Sequence, residues 1–79
     1  DEWVEPTEDD EELFNRLRSL RKRLAGERGI PAYVVFSDAT LRAMARQRPR
    51  TEEQMLDIKG VGTKKFASYG EEFLHEIGA

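Results

Sequence analysis

Cysteine is missing from the 79 residues of this chain, and histidine and tryptophan occur once each. The lack of cysteine excludes a disulfide scaffold and a thiolate metal site. No other metal-ligand spacing, Walker-type phosphate loop or Gly-x-Gly-x-x-Gly loop is present. No apolar run approaches the length of a membrane span, and no signal peptide is visible. We therefore expect no metal, no cofactor and no membrane partner, and the composition suits a reducing cytoplasm or a nucleoid.

The groups that catalysis would need are missing as well. The single histidine, His75, has no serine or cysteine nucleophile placed in relation to it, which is typical of an exposed or capping histidine. The carboxylate pairs Glu52/Glu53 and Glu71/Glu72 are adjacent in sequence, so on a helix they diverge instead of converging on a substrate. The sequence therefore predicts no catalytic residue and a domain that is not an enzyme.

Charge is distributed unevenly along the chain, so the formal net charge of −3 is misleading. Residues 1–12 contain eight acids and no base, whereas residues 13–79 contain all 13 lysines and arginines against the other eight acids, a net charge of +5. Residues 1–9, with Pro6 and no periodicity, are predicted to be an acidic linker. Residues 10–79 are predicted to form one domain, and their basic surplus favours a polyanionic partner.

Apolar spacing predicts a first long helix that begins near Asp9. Its buried stripe repeats at intervals of three and four residues and consists of Leu13, Leu17, Leu20 and Leu24. Gly26 or Gly29 is expected to end it. Residues 29–36 have the composition of a strand, but a strand without a partner is not stable. We therefore predict a buried irregular or short helical connector there, with its valines and phenylalanine in the core.

Three further helices are predicted in the second half of the chain. Ser37 is the expected N-cap of a helix that reaches about Gln47, and Thr51 begins a capping-box pattern that starts a short helix. The last helix is expected from about Thr63 towards Ile77, and Gly70 inside it either breaks the helix or admits another backbone, which we favour. The predicted fold is all-α, a compact bundle of about five short helices without a sheet.

One turn of this bundle has the pattern apolar-x-Gly-apolar-Gly, at residues 58–62. Gly60 and Gly62 would let the backbone approach a phosphate without a Cβ in the way, and the amides of the helix starting at Thr63 would point at it. Lys64 and Lys65 add positive charge. The pattern predicts a DNA-backbone contact without sequence preference. The alternative is a plain corner whose glycines only satisfy positive φ.

A second candidate site combines an aromatic residue with basic residues. Tyr33 lies between the basic end of the first helix, with Arg21, Lys22 and Arg28, and the arginine-rich helix that follows. A tyrosine beside several cations is what single-strand binding needs, because the ring stacks on a base and the cations attract the backbone. The alternative is that Tyr33 packs in the core and the arginines form an ordinary solvated face.

Four stretches of the chain resemble a known family in order and spacing. They are LFNRLRSLR at 13–21, IPAYVVFSDATL at 30–41, MLDIKGVG at 55–62 and KFASYGEEF at 65–73. Together they resemble the HRDC (helicase and RNase D C-terminal) domain of bacterial RecQ helicases. The resemblance implies an HRDC bundle over residues 10–79, with similarity to the SAM-like and helix-hairpin-helix folds.

The resemblance also implies a function. HRDC domains are auxiliary and perform no chemistry. In RecQ-type members the tyrosine matched by Tyr33 and nearby basic residues contact single-stranded DNA. A monomeric accessory domain of an ATP-dependent 3′–5′ DNA helicase is implied, with weak binding to single-stranded or branched DNA in a bacterial cytoplasm. The alternative is docking on the helicase core or a partner protein, since acidic residues beside the basic surface would weaken DNA binding and make it strongly salt-dependent.

Overall fold

The computed structural model describes residues 7–79, which form five helices and, within that range, no strand. The predicted all-α bundle without a sheet is therefore confirmed. Trp3 and most of the predicted acidic linker lie outside the described residues. The helices are α1 (Glu8–Arg28), α2 (Ala32–Val35), α3 (Asp38–Gln47), α4 (Glu52–Leu56) and α5, which is continuous through Thr63–Lys65, Phe66–Gly70 and Glu71–Gly78.

α1 begins at Glu8, close to the predicted start near Asp9, and includes the last two residues of the predicted linker. Thr7 is its N-cap and forms a capping box with Asp10, in which each side chain accepts from the other residue's backbone N–H. Glu8 and Asp9 thus lie in the first turn, where negative charge interacts favourably with the helix dipole. Gly29 ends the helix in the left-handed conformation at φ 65°.

The core lies between α1 and the other helices. The predicted leucine stripe of α1 is buried, with no member more than 5% exposed. The connector is a short helix, and Val35 and Phe36 fill the core as expected, although Val34 stays at the surface. The ring of Phe36 meets Phe73 of α5 edge to face at a centroid distance of 5.0 Å. The connector thus joins α1 to α5.

The caps of α3 and α4 follow the sequence closely, with one difference. The Ser37 hydroxyl accepts from the Thr40 N–H at 3.2 Å and starts α3. The Thr51 hydroxyl accepts from the Gln54 N–H at 3.1 Å and starts α4. Only half of the predicted capping box forms, because the Gln54 side chain accepts from the Arg50 N–H at 2.8 Å instead of reaching the N-cap.

The glycine inside α5 neither breaks the helix nor admits another backbone, so the predicted close backbone approach is wrong. Gly70 ends a π-helical stretch, and a Cβ there would lie 2.2 Å from the ring of Phe66 in the same helix. The wider helical turn gives that ring its space. Arg16 of α1 fixes the end of α5, since it donates to the Glu76 carboxylate at 3.1 Å and to the Glu76 carbonyl at 3.0 Å.

Within residues 7–79 no helix combines the length and apolar character that crossing a bilayer requires. In the same range no group of three or more His, Cys, Asp or Glu side chains is arranged to hold a metal ion.

Candidate nucleic-acid interface

Tyr33 lies on α2 and is 71% exposed. The alternative in which this ring packs in the core is therefore excluded. The reason is local, since Val35 and Phe36 of the same segment are completely buried and leave Tyr33 and Val34 on the outer side. Its phenol ring thus offers a large flat surface to solvent on a short, well-anchored helix.

A groove lies between α1 and the start of α2. It is open to solvent and has a volume of about 380 Å³. Its lining consists of Asn15, Arg18, Ser19, Arg21, Lys22 and Ala32. Lys22 is exposed, and Ala32 directly precedes Tyr33 in the chain. The structure therefore brings predicted site residue Lys22 next to the helix that carries the exposed tyrosine.

Arg21, one of the predicted DNA contacts, has a structural role. Its side chain is buried, donates to the Phe36 carbonyl at 2.9 Å and pairs with Asp38 at 2.8 Å. Its Nε is buried without a hydrogen-bond partner among the described residues. A cation neutralised and buried in this way holds the connector to α1 and has little charge left for a phosphate.

Arg28 is exposed but is held against α5. It donates to the Ser68 carbonyl at 3.2 Å, and its guanidinium carbon lies 4.7 Å from the centre of the Tyr69 ring. A guanidinium has five N–H donors, so this single hydrogen bond leaves most of them available. Arg28 therefore remains a candidate site residue with a fixed position.

In the predicted hairpin, Gly60 packs against Thr40 of α3. Gly60 has φ 98°, and a Cβ there would lie 2.2 Å from the Thr40 hydroxyl oxygen of α3. That hydroxyl donates to the Lys59 carbonyl at 3.1 Å and so fastens the turn to α3. The missing Cβ of Gly60 thus makes room for Thr40, and a phosphate contact at this glycine stays a prediction.

The second hairpin glycine differs, because Gly62 has φ −95° and nothing within 4 Å of an added Cβ. It is the N-cap of α5 without a side-chain cap, and the first helical bond runs from the Phe66 N–H to the Gly62 carbonyl. The amides of the first helical turn have no intrahelical partner. Thr63 and Lys64 are exposed beside them, and the Lys65 ammonium lies 5.8 Å from the centre of the Phe36 ring.

The family model of the HRDC domain matches residues 10–77, nearly the whole described chain. The chain belongs to the HRDC family. HRDC domains of RecQ helicases are accessory domains and are not catalytic.

Known proteins similar to this HRDC domain include two kinds of helicase. It is 53% identical over 73 residues to ATP-dependent DNA helicase RecQ of Bacillus subtilis, covering 92% of this chain and 12% of that protein. It is 43% identical to ATP-dependent DNA helicase UvrD2 of Mycobacterium tuberculosis, over 86% of this chain and 10% of that protein. The chain thus spans about a tenth of the length of these curated relatives.

A solved structure described as D. radiodurans RecQ HRDC domain 3 superposes on this HRDC domain with a TM-score of 0.84 at 40% identity. The match covers 87% of this chain and 91% of that chain. Both the fold and the family assignment thus agree with the expectation from sequence.

The structure adds two arginines that the predicted site did not include. The guanidinium carbons of Arg18 and Arg42 lie 5.7 and 3.8 Å from the centre of the Phe14 ring. The i,i+4 spacing of Phe14 and Arg18 was visible in the sequence. The contact of Arg42 with Phe14 joins α1 to α3, so no local pattern of this HRDC sequence could reveal it.

Carboxylates from the start of α1 neutralise part of the α3 side of the HRDC domain. Glu11 pairs with Arg42, and Asp10 lies 3.7 Å from Arg48. The expectation that acidic residues near the N-terminus form ion pairs with basic residues of the surface therefore holds for these two arginines. In contrast, no described carboxylate lies within 4.0 Å of Lys22, Lys64 or Lys65.

Proposed function

We propose that this HRDC domain is a non-catalytic accessory domain of an ATP-dependent DNA helicase of the RecQ type. Its role is to engage single-stranded or branched DNA weakly and without sequence preference. Support comes from its similarity to the HRDC domain of RecQ helicases and from the exposure of Tyr33. In a bacterial cell such a helicase would act on nucleoid DNA in repair or recombination.

The exposed ring of Tyr33 is the observation on which this proposal depends. A buried aromatic residue stabilises a core, but a tyrosine left 71% exposed on an anchored helix contributes little to folding. Base stacking on such a ring tolerates any sequence because every base has a π-face. Lys22, which shares a groove with the start of α2, and Lys65, near Phe36, would attract the DNA backbone.

The start of α5 supports a second contact with the same strand. The uncapped amides that follow Gly62, with Thr63 and Lys64 exposed, form a small anion-binding end. Such contacts position a backbone and do not select a sequence. Arg28, which lies over the Tyr69 ring, and Lys65, whose ammonium lies 5.8 Å from the centre of the Phe36 ring, add positive charge to α5 and its surroundings.

Replacement of the ring tests the proposal most simply. Tyr33→Ala should weaken binding of a fluorescein-labelled oligothymidine at low salt by about tenfold, since base stacking on an aromatic is worth roughly 1–3 kcal/mol. Tyr33→Phe should retain most of the affinity because its ring still stacks. The measurement is fluorescence anisotropy, with circular dichroism to confirm unchanged helicity.

Val34→Ala is the matched control, because Val34 is the next residue of α2 and is also exposed. It should bind the oligonucleotide as the wild type does. If Tyr33→Ala and Val34→Ala bind equally well, then Tyr33 is not part of a DNA site and the proposal fails.

Protein docking is the second candidate function, and the acid pairs of α1 favour it. Asp10 and Glu11 neutralise Arg48 and Arg42 on the α3 side, as suits a surface that meets the helicase core or a partner protein. No binding of oligothymidine even at low salt, together with altered unwinding when the domain is deleted from its parent helicase, would favour docking. The domain itself is expected to be a monomer.

A further inference from the structure

Two cations from different helices share one aromatic ring in this domain. Arg18 of α1 and Arg42 of α3 both lie against Phe14, so their guanidinium carbons are at most about 10 Å apart, the sum of their distances to the ring centre. Phe14 is only 5% exposed and holds both groups at the surface of the core. The two arginines therefore form a fixed cationic pair.

One carboxylate faces this pair. Glu11 contacts the Arg42 guanidinium, and no carboxylate of residues 7–79 lies within 4.0 Å of Arg18. The side chains of Arg42 and Glu11 are 41% and 46% exposed. An ion pair this exposed contributes little to the stability of the domain, so an anion that binds the guanidinium more tightly can replace the carboxylate.

The pair is continuous with the groove between α1 and α2, because Arg18 lines that groove together with Ala32, the residue before Tyr33. Asn15, Arg18 and Lys22 follow one another at intervals of three and four residues and therefore lie on one side of α1. All three line the groove between α1 and α2. A line of hydrogen-bond donors thus runs from the start of α2 along α1 towards α3.

We propose that Arg18 and Arg42 form a second phosphate-binding position for the strand that stacks on Tyr33, and that Glu11 occupies Arg42 until a phosphate displaces it. This inference rests on the proposed function and extends the path of the strand from α2 to α3. A phosphate suits the position because guanidinium groups bind its oxygens in a bidentate manner. Glu11 thereby limits the affinity of the domain for DNA.

Removal of the Glu11 charge tests the inference. Glu11→Gln should tighten binding of labelled oligothymidine about three- to tenfold at low salt, because Arg42 becomes free for a phosphate. Because Glu11 holds Arg42 for part of the time in the wild-type complex, full occupancy of the phosphate position in Glu11→Gln should also steepen the plot of log affinity against log salt concentration, by up to about 0.7. Arg42→Gln in the Glu11→Gln background should abolish both changes.

Glu12→Gln is the matched control. Glu12 is the next residue, is exposed, and has no described lysine or arginine within 4.0 Å. Glu12→Gln removes one negative charge, as Glu11→Gln does, so it measures how much of the gain in affinity comes only from the altered net charge of the domain. If Glu11→Gln and Glu12→Gln alter affinity and salt dependence equally, Glu11 does not compete with a phosphate and the inference is wrong.

The two proposals fail in different ways. Loss of binding in Tyr33→Ala, combined with equal behaviour of the two glutamate variants, would leave the proposed function intact and overturn only the second phosphate position. A specific gain in Glu11→Gln, combined with unchanged binding in Tyr33→Ala, would support the phosphate position and overturn the stacking role of Tyr33.

Discussion

Replacement of Gly60 by alanine should destabilise the domain strongly, although Gly60 is exposed. A non-glycine residue at φ 98° costs about 1–3 kcal/mol. The new Cβ would also lie 2.2 Å from the Thr40 hydroxyl and would disrupt its 3.1 Å hydrogen bond to the Lys59 carbonyl. Loss of that bond adds roughly 1 kcal/mol. The expected loss is therefore about 3 kcal/mol in the free energy of unfolding.

Thermal and urea denaturation followed by circular dichroism measure this loss. For a domain of this size, about 3 kcal/mol lowers Tm by roughly 10–25 °C. Gly62→Ala is the control, because its φ is −95° and its Cβ position is empty, and its stability should stay within about 0.5 kcal/mol of wild type. Equal stability of the two variants would refute the structural role of Gly60.

A double variant separates the two causes. Thr40→Ala removes the hydroxyl that the new methyl group would meet, so Gly60→Ala with Thr40→Ala should be less destabilised than the sum of the single variants by about 1 kcal/mol. Strict additivity would assign the whole effect to backbone strain at Gly60.

Three further substitutions test the helices. Arg21→Ala should cost about 2 kcal/mol in urea denaturation because it leaves the buried Phe36 carbonyl without its donor, and equal stability to wild type would contradict the structural assignment of Arg21. Gly70→Ala should destabilise by about 1–3 kcal/mol despite its better helix propensity, since its methyl group meets the Phe66 ring, and a gain in Tm would show that the π-helical stretch adjusts freely. Ser37→Ala should lose about 1 kcal/mol as an N-cap, and a loss below a few tenths would show that the cap contributes nothing.

Local patterns predicted the helices well. The leucine stripe of α1, the Ser37 cap and the Thr51 cap all depend on neighbours three or four residues away, which a sequence displays directly. The short connector could also be predicted, since a strand without a partner had to be rejected. The π-helical stretch before Gly70 could not, because it depends on how the Phe66 ring packs.

The candidate site was predicted less completely, because it depends on long-range contacts. The exposure of Tyr33 follows from which connector residues fill the core, and the sequence alone left both alternatives open. Arg21 and Gly60 were predicted as DNA contacts from their surroundings in the sequence, and their contacts with Asp38 and Thr40 add structural roles that the sequence did not reveal. The pairing of Arg42 with Glu11 crosses 31 positions of the chain and has no local signal.

Chemical-shift mapping of the ¹⁵N-labelled domain, titrated with a short oligothymidine at low salt, tests the DNA-binding surface most directly. We predict that the amides around Tyr33 and Lys22, together with those of Thr63 and Lys64, shift in fast exchange and lose their shifts as salt is raised. An absence of shifts at low salt, or shifts confined to α4 and the end of α5, would contradict a nucleic-acid surface centred on Tyr33.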